Sequence, residues 1–370
     1  MRDSEELILD IADLSRGGAG VARHSDGRVI FVPFTAPGDR IRARVLGKTK
    51  NYAHGHMVEI IKQSPIRVDP RCPAFGHCGG CQWQHIPYEL QWKTKLSGVK
   101  QALSRQSVQD PGVWEEFPAQ QVWEYRNRVQ LRGNKEKLGF FEAGTTELVA
   151  VDRCDLAMTE INAGWVEIRS EGSKLPGAYK VEVEVLPDHS LRKNWNSRHA
   201  SMGFRQVHDE QNEKLKNWIK TSLSGSETLF DLYGGSGNLS ENLSSKFLEI
   251  HCVDLSAPTA HPEGFPPHFH FHKMPVLKWV KNVARSGSSK SDLSVIVDPP
   301  REGVSKDLDS LEKSLRTLGA AEWILVGCDP DAWSRDLRHL VARGWKLDKA
   351  AVIDLFPQTR HVESLALLRL

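Results

Sequence analysis

At 370 residues with 39% apolar side chains, the chain is long enough to bury two or three separate cores. Its net charge of only +2 excludes a protein held to nucleic acid by bulk charge, so any such contact must come from local patches. There is no apolar run of roughly 18 residues and the start, Met1-Arg-Asp-Ser-Glu-Glu6, is too polar for a signal peptide; the expectation is a soluble, cytoplasmic protein with no membrane partner, whose six cysteines serve metal binding or catalysis rather than disulfides.

Residues 7 to 62 alternate short apolar runs with turn chemistry: Leu7 to Ile11, Gly17-Gly-Ala-Gly20, Val29 to Val32 before Pro33, Pro37-Gly-Asp39 and Met57 to Ile61. A small β-barrel is expected. Arg40, Arg42 and Arg44 alternate with Ile41, Ala43 and Val45, which puts the cations on one strand face, and Lys48 and Lys50 extend the charge. That face suits phosphate and equally suits plain solvent.

Next comes Cys72-Pro-Ala-Phe-Gly-His-Cys78-Gly-Gly-Cys81, three thiols in a Gly-rich loop that can wrap so that its sulfurs converge on a soft metal or an iron-sulfur cluster. Cys154, beside Arg153, is the natural fourth ligand, and zinc needs the same four thiolates. Leu90, Trp92, Leu96, Val99 and Leu103 recur at helical spacing and predict an amphipathic helix over 86–103. Residues 120–200 carry strand-like stretches (122–132, 138–141, 181–185) that predict an antiparallel sheet, with Arg126, Arg128 and Arg132 on one face.

After about residue 200 helix and strand alternate, as in an α/β sheet. A helix over 212–223 leads to Leu229-Phe-Asp231-Leu-Tyr-Gly-Gly-Ser-Gly-Asn238, an apolar strand ending in a Gly-rich turn that is expected to open a helix and bring backbone close to a ligand. The next strand ends in Asp254, placed for ribose hydroxyls, and no lysine of the ATP-cradling type follows the glycines. An adenosine-type cofactor is therefore expected. His251, His261, His268, His270 and His272 cluster in a Pro-rich context without adjacent acids, which argues against a metal there, and Cys252 falls mid-strand as a core residue. Leu293 to Val297 is a buried strand ending in Asp298-Pro-Pro-Arg301, and Ile324 to Val326 another, ending at Cys328. A thiol at the carboxyl end of such a strand lies where open α/β sheets collect catalytic groups. Glu363, ahead of a final strand over 364–370, reads either as a buried base or as a surface acid.

These motifs, in this order, resemble the RNA uracil-5-methyltransferases that use S-adenosylmethionine, in the branch with a TRAM domain and a [4Fe-4S] cluster, and the resemblance covers nearly the whole chain. It implies a multidomain protein. Residues 1–62 would be a TRAM-like RNA-binding barrel of the OB type, 63–200 an α+β antiparallel-sheet domain holding the iron-sulfur cluster and gripping RNA, and 201–370 a Rossmann-like S-adenosylmethionine-dependent methyltransferase domain. It implies Cys72, Cys78, Cys81 and Cys154 as cluster ligands, Gln206 (in Phe204-Arg-Gln206), Tyr233, Gly235, Gly237, Asn238, Asp254 and Asp298 as cofactor contacts, Cys328 as nucleophile and Glu363 as base. The substrate implied is RNA, with 23S ribosomal RNA first, the T-loop uridine of tRNA second, and a non-catalytic RNA-binding assembly factor as the reading from another class; no obligate protein partner is indicated. Departures from the family pattern are Gly234 in place of a cysteine, His208 in place of an asparagine, Asp254 in place of a glutamate, and Gly327 and Asp329 flanking Cys328, where Asp329 adds a negative charge beside the thiol.

Overall fold

The computed structural model describes residues 5–49, 51–197, 205–287 and 292–370; Lys50 and Phe204 lie outside these, as does the side chain of Lys48. The chain divides into two compact units: Met1–Gly98, Gln120–Ser197 and Phe356–Arg360 in the first, and Val99–Ala119, Arg198–Leu355 and His361–Leu370 in the second.

In the first unit β1 (Glu6–Asp10), β2 (Asp13–Leu14), β3 (Gly20–Arg23), β4 (Val29–Val32), β5 (Arg40–Lys48) and β6 (Tyr52–Lys62) form a six-stranded sheet in the order β1-β5-β6-β4-β3-β2. Ile41, Ala43 and Val45 are buried, as their alternation requires. The arginines between them do face outward, but each meets an acid directly across the ladder: Arg42 with Glu59 at 2.6 Å, Arg44 with Glu6 at 2.9 Å and Arg40 with Asp10 at 3.9 Å. The stripe is therefore a neutralised solvated face, because the flanking strands carry matching acids that sequence alternation within one strand does not reveal.

The helix α1 (Tyr88–Arg105) forms at the expected place, yet its buried positions are Gln91, Lys95, Gly98, Val99, Ala102 and Leu103, while Leu90, Trp92 and Leu96 stay half-buried. Two polar side chains thus occupy its inner face, and both are held by hydrogen bonds described below. After β7 (Trp114–Phe117) come β8 (Arg128–Gly133), β9 (Leu138–Phe141), β10 (Leu148–Ala150), α2 (Thr159–Ala163), α3 (Trp165–Ser173), β11 (Tyr179–Val185) and β12 (Leu191–Trp195). The five strands make an antiparallel sheet, β10-β9-β8-β11-β12, with Trp165 and Ile168 of α3 packed on Val129, Leu131, Val181 and Val183. Arg128 is buried against Glu184 (3.2 Å) and Glu182 (3.8 Å), Arg132 donates to Gln130, and Arg126 precedes the strand. The evenly spaced arginines are thus no open phosphate face: the glutamates of the alternating run 181–185 turn inward and take the charge.

The second unit contains α4 (Asp209–Ser222), β13 (Ser226–Leu232), β14 (Phe247–Asp254), β15 (Phe269–Lys273), α5 (Val276–Arg285), β16 (Leu293–Val297), α6 (Leu308–Thr317), β17 (Ala320–Gly327), α7 (Pro330–Val341), β18 (Lys346–Ile353) and β19 (Glu363–Arg369). With β7 they build an eight-stranded sheet, β15-β14-β13-β16-β17-β19-β18-β7, parallel except for β19. All five residues of β16 are buried, as expected for a strand covered on both faces. The strand order reverses between β13 and β16, and such a switch point leaves a crevice at the carboxyl ends. The helix expected after the glycine turn is a correction: only a 3-10 turn, Glu241–Leu243, forms. Residues 238–246 are too few for a full crossover helix before β14 begins. No helix among the described residues is long and apolar enough to cross a membrane.

Candidate active site

Three carboxylates converge at the switch point. Asp231 near the end of β13 is fully buried; Ser240 Oγ donates to its Oδ2 at 2.5 Å, and its Oδ1 has no donor among the described residues. Burial pushes this carboxyl up to about 6 against the pull of Ser240, with the charge of Asp254 adding to the rise. Asp298, one residue past β16, is raised to about 7 by burial first and then by Asp231 and Asp254. Asp254, the last residue of β14, accepts from the N–H and Oγ of Ser256, both at 2.5 Å.

The glycine turn lies above these acids. Tyr233 and Gly235 have positive φ (64° and 58°), and the Tyr233 N–H donates to Val253 O at 2.9 Å. A Cβ on Gly234 would fall 2.6 Å from the Asp231 carboxyl and 2.7 Å from Cys252 Sγ. The thiol of the neighbouring strand has taken the space of the side chain missing at 234, so Cys252 is core and Gly234 its necessary complement. Gly237 is covered instead by the ring of Phe269, 3.0 Å from where its Cβ would be. The amides of Asn238 and Asn212 bond reciprocally at 2.9 Å, which ties the turn to α4, and Gln206 is buried just before that helix.

The antiparallel ladder of β17 and β19 ends at Gly327 opposite Ser364, so the next residues out, Cys328 just past β17 and Glu363 at the first position of β19, stand side by side. The reversed strand is what brings a carboxylate 35 residues downstream next to the thiol. Glu363 is buried, not a surface acid. Burial holds its carboxyl well above the usual range, with Asp298 adding and Arg301 opposing. Burial likewise pushes the Cys328 thiol up to about 12, helped by Glu363 and Asp298 and opposed by Arg301. Asp329 plays another part than its sequence position suggested: its Oδ1 accepts from the N–H of Asp331 (3.0 Å) and Ala332 (2.9 Å), capping α7 with Pro330 in the first turn. A Cβ on Gly327 would meet Trp333 at 2.9 Å, and Trp333 Nε1 donates to Leu325 O, which explains a glycine just before the thiol. Arg301, Ser240 and Asn212 were not singled out in the sequence. No motif marks Ser240 or Asn212, whereas Arg301 is the one cation in an otherwise acidic and apolar motif.

In the first unit Cys72, Cys78, Cys81 and Cys154 all line one cavity of about 220 Å³, together with Gln84 and Arg126. Gln84 is buried and its Oε1 accepts from the Cys72 N–H at 3.0 Å, while its side chain also bonds the Cys81 thiol. Asn162 accepts from the Cys154 N–H at 2.9 Å and donates back to Cys154 O. Gly79 packs on the 141–143 backbone, where a Cβ would lie 3.1 Å from Phe141 O. Among the described residues no three His, Cys, Asp or Glu side chains stand close enough to grip a single metal ion. That holds for the histidines too: His251 stacks on His270 at 5.0 Å and bonds His272 at 3.0 Å, with Trp279 against both His251 and His272, while His261 and His268 bond backbone carbonyls.

An α/β sheet with its acids and a thiol gathered at the carboxyl ends of β13, β14, β16 and β17 defines an enzyme whose ligands enter at the switch point. Comparison with known proteins narrows the class. Residues 9–66 match the TRAM domain of tRNA (uracil(54)-C(5))-methyltransferase, and residues 288–370 match the tRNA (uracil-5-)-methyltransferase family. An uncharacterised RNA methyltransferase of Bdellovibrio bacteriovorus is 30% identical over 98% of this chain and 95% of its own length. The 23S rRNA (uracil(1939)-C(5))-methyltransferase of Shewanella denitrificans is 25% identical over 99% and 96%. The crystal structure of Pyrococcus abyssi tRNA (uracil-54, C5)-methyltransferase with S-adenosyl-L-homocysteine superposes with a TM-score of 0.70 over 98% of this chain and 99% of that one; at 22% identity this shows the fold. The chain belongs to the RNA uracil-5-methyltransferase family.

Proposed function

We propose that this enzyme transfers a methyl group from S-adenosylmethionine to C5 of a uridine in large-subunit ribosomal RNA, through a covalent bond between Cys328 and C6. The carrying observation is that Cys328, just past β17, stands beside Glu363, the first residue of β19, with Asp298 and Arg301 bearing on both. Uracil C5 is a poor nucleophile. Cys328 loses its thiol proton to solvent as Sγ adds to C6, which moves an electron pair onto C5 and makes it a carbon nucleophile. S-adenosylmethionine, when bound, supplies the electrophilic methyl group. Once C5 is methylated, the Glu363 carboxylate takes the C5 proton, the C5–C6 double bond re-forms, and the Sγ–C6 bond breaks. The base must leave its stack to be reached, so the uridine is flipped out.

The residues present fit the cofactor. Asp254 suits ribose hydroxyls, the turn at Tyr233, Gly235 and Gly237 offers close backbone, and the orphaned Oδ1 of Asp231 calls for a donor that a cationic ligand carries. Gln206, Asn238 and Asp298 complete the pocket, Asn238 by fixing the turn through Asn212. The four-thiol cavity fits a [4Fe-4S] cluster better than zinc. Four thiolates on zinc, with Zn–S ~2.3 Å, would crowd their sulfurs to about 3.8 Å, whereas these line a cavity of about 220 Å³. A cluster there, held by Cys72, Cys78, Cys81 and Cys154, would be structural. We read residues 1–62, 63–200 and 201–370 as barrel, cluster and methyltransferase modules of a cytoplasmic enzyme. On the outward face of β4 and β6, the rings of Phe31, Tyr52 and His54 lie within 6.2 Å of one another and suit base stacking.

A ribosomal substrate is favoured by the full-length likeness to the Shewanella enzyme; the archaeal structure favours tRNA. Labelled S-adenosylmethionine offered with separate unmodified rRNA and tRNA pools decides, with Cys328→Ala as control. Label in rRNA supports the proposal, label in tRNA alone overturns its substrate, and label in neither overturns the reaction.

A further inference from the structure

The loop between β18 and β19 is fastened far more heavily than a hairpin connection needs. Such connections close with two to five residues, but here residues 354–362 intervene and Phe356–Arg360 belong to the first unit. Three successive carbonyls each accept from another segment: Phe356 O from Lys95 Nζ at 3.0 Å, Pro357 O from Tyr125 Oη at 2.9 Å, and Gln358 O from the N–H groups of Gln82 and Trp83, both at 3.1 Å. Gln91 adds a reciprocal pair, with its Oε1 accepting from the Gln358 N–H and its Nε2 donating to Gln358 Oε1, both at 2.9 Å. Gln358 itself holds a φ of 67°, unfavourable for a residue with a Cβ, and is buried. These are the bonds that draw Gln91 and Lys95, rather than Leu90 and Leu96, onto the inner face of α1.

The loop leads straight to the reacting groups. Glu363 is the first residue of β19 and pairs with Ile353, the last of β18, so it occupies the outermost rung of that ladder, where an unfastened hairpin frays first. We infer that Gln91, Lys95 and Tyr125 are positioning residues for Glu363: by pinning 356–358 they stop the last rung from opening and hold the carboxylate where it can take the C5 proton. The inference rests on Glu363 being the base. The clamp acts on the second half of the reaction, since Cys328 leaves β17, which the loop does not terminate. Loosening it should therefore leave the attack on C6 and the methyl transfer in place and slow proton removal, so that methylated RNA stays bonded to Cys328.

The test uses large-subunit rRNA transcribed with uridine tritiated at C5, and S-adenosylmethionine labelled in the methyl group. Wild type releases one tritium per methyl transferred. Glu363→Gln should transfer methyl, retain tritium and accumulate a denaturant-stable protein–RNA adduct. Gln91→Leu and Lys95→Met should show the same signature more weakly, with the tritium-to-methyl ratio of the first turnover reduced about tenfold and KM for RNA unchanged. Lys95→Arg, which keeps a donor, should restore much of it. Tyr125→Phe removes one hydroxyl and serves where the others do not fold. If methyl transfer and tritium release fall together, or stay at wild-type values, in folded Tyr125→Phe and Lys95→Met, the clamp has no such role. If Glu363→Gln itself releases tritium normally, the assignment of the base fails instead.

Discussion

Two thiols of this protein, Cys81 and Cys328, are both pushed up to about 12 by burial, and different groups surround them. Cys81 is one of four thiols around its cavity; an amide from Gln84 bonding its sulfur and the guanidinium of Arg126 oppose the rise, while Cys154 and Cys78 add to it. Cys328 has two carboxyl groups, Glu363 and Asp298, that add to its rise, with Arg301 and a backbone hydrogen bond opposing them. Four thiols with an amide and a guanidinium among them suit ligands, whose mutual repulsion a metal centre's positive charge relieves. The carboxyl groups beside Cys328 keep the proton on until something displaces it, which suits a nucleophile that must form and then release a bond within one turnover.

Replacing Cys81 by serine should have the largest consequence on the ligand side. Anaerobically purified wild type is expected to be brown with iron bound, and Cys81→Ser colourless and markedly less stable, because metal binding is coupled to folding. A colourless wild type with one zinc per chain would contradict the cluster.

On the nucleophile side the carboxyl groups leave a trace in stability. Asp298 has its pKa raised from 3.8 to about 7 in the folded chain, so folding favours its protonated form. That contribution is complete below about pH 4 and is lost as pH rises through 7. Asp298→Asn is expected to melt at a higher temperature than wild type by a margin that widens from pH 5 to pH 8; a constant margin would mean that the carboxyl is solvated. Gly327→Ala drives a methyl group into Trp333 and should cost about 1–3 kcal/mol in urea unfolding, whereas an unchanged midpoint would show that α7 yields freely. The smallest effect belongs to the outer face of β5. Arg42→Ala breaks an exposed pair with Glu59 and should shift stability by less than about 1 kcal/mol, and RNA affinity little. A large loss of affinity would restore the basic stripe as an RNA contact.

Much of the architecture was legible because its signals are local. The alternation in 40–45, the apolar strands before Asp298 and Cys328, and the cysteine spacing each follow from short-range periodicity. What escaped depends on partners far away in sequence. The arginine stripes read as basic because Glu6, Glu59, Glu182 and Glu184 belong to other strands or to a run that reads as alternating outward charge. The helix after the glycine turn was expected from the motif and is precluded by the short distance to β14. Gln91 and Lys95 look like solvent positions on α1 and are buried only because carbonyls and amides of 356–358 need them. Asp329 looked like an electrostatic problem and is a helix cap.

The central claim is that Cys328 bonds to uracil C6 during methyl transfer. RNA carrying 5-fluorouridine tests it directly, because after methylation C5 has no proton for Glu363 to remove and the Sγ–C6 bond is trapped. The prediction is a denaturant-stable protein–RNA adduct that requires S-adenosylmethionine for its methylated mass, maps to the peptide containing Cys328 and disappears in Cys328→Ala. An active enzyme that gives no adduct, or an adduct that persists in Cys328→Ala, would contradict it.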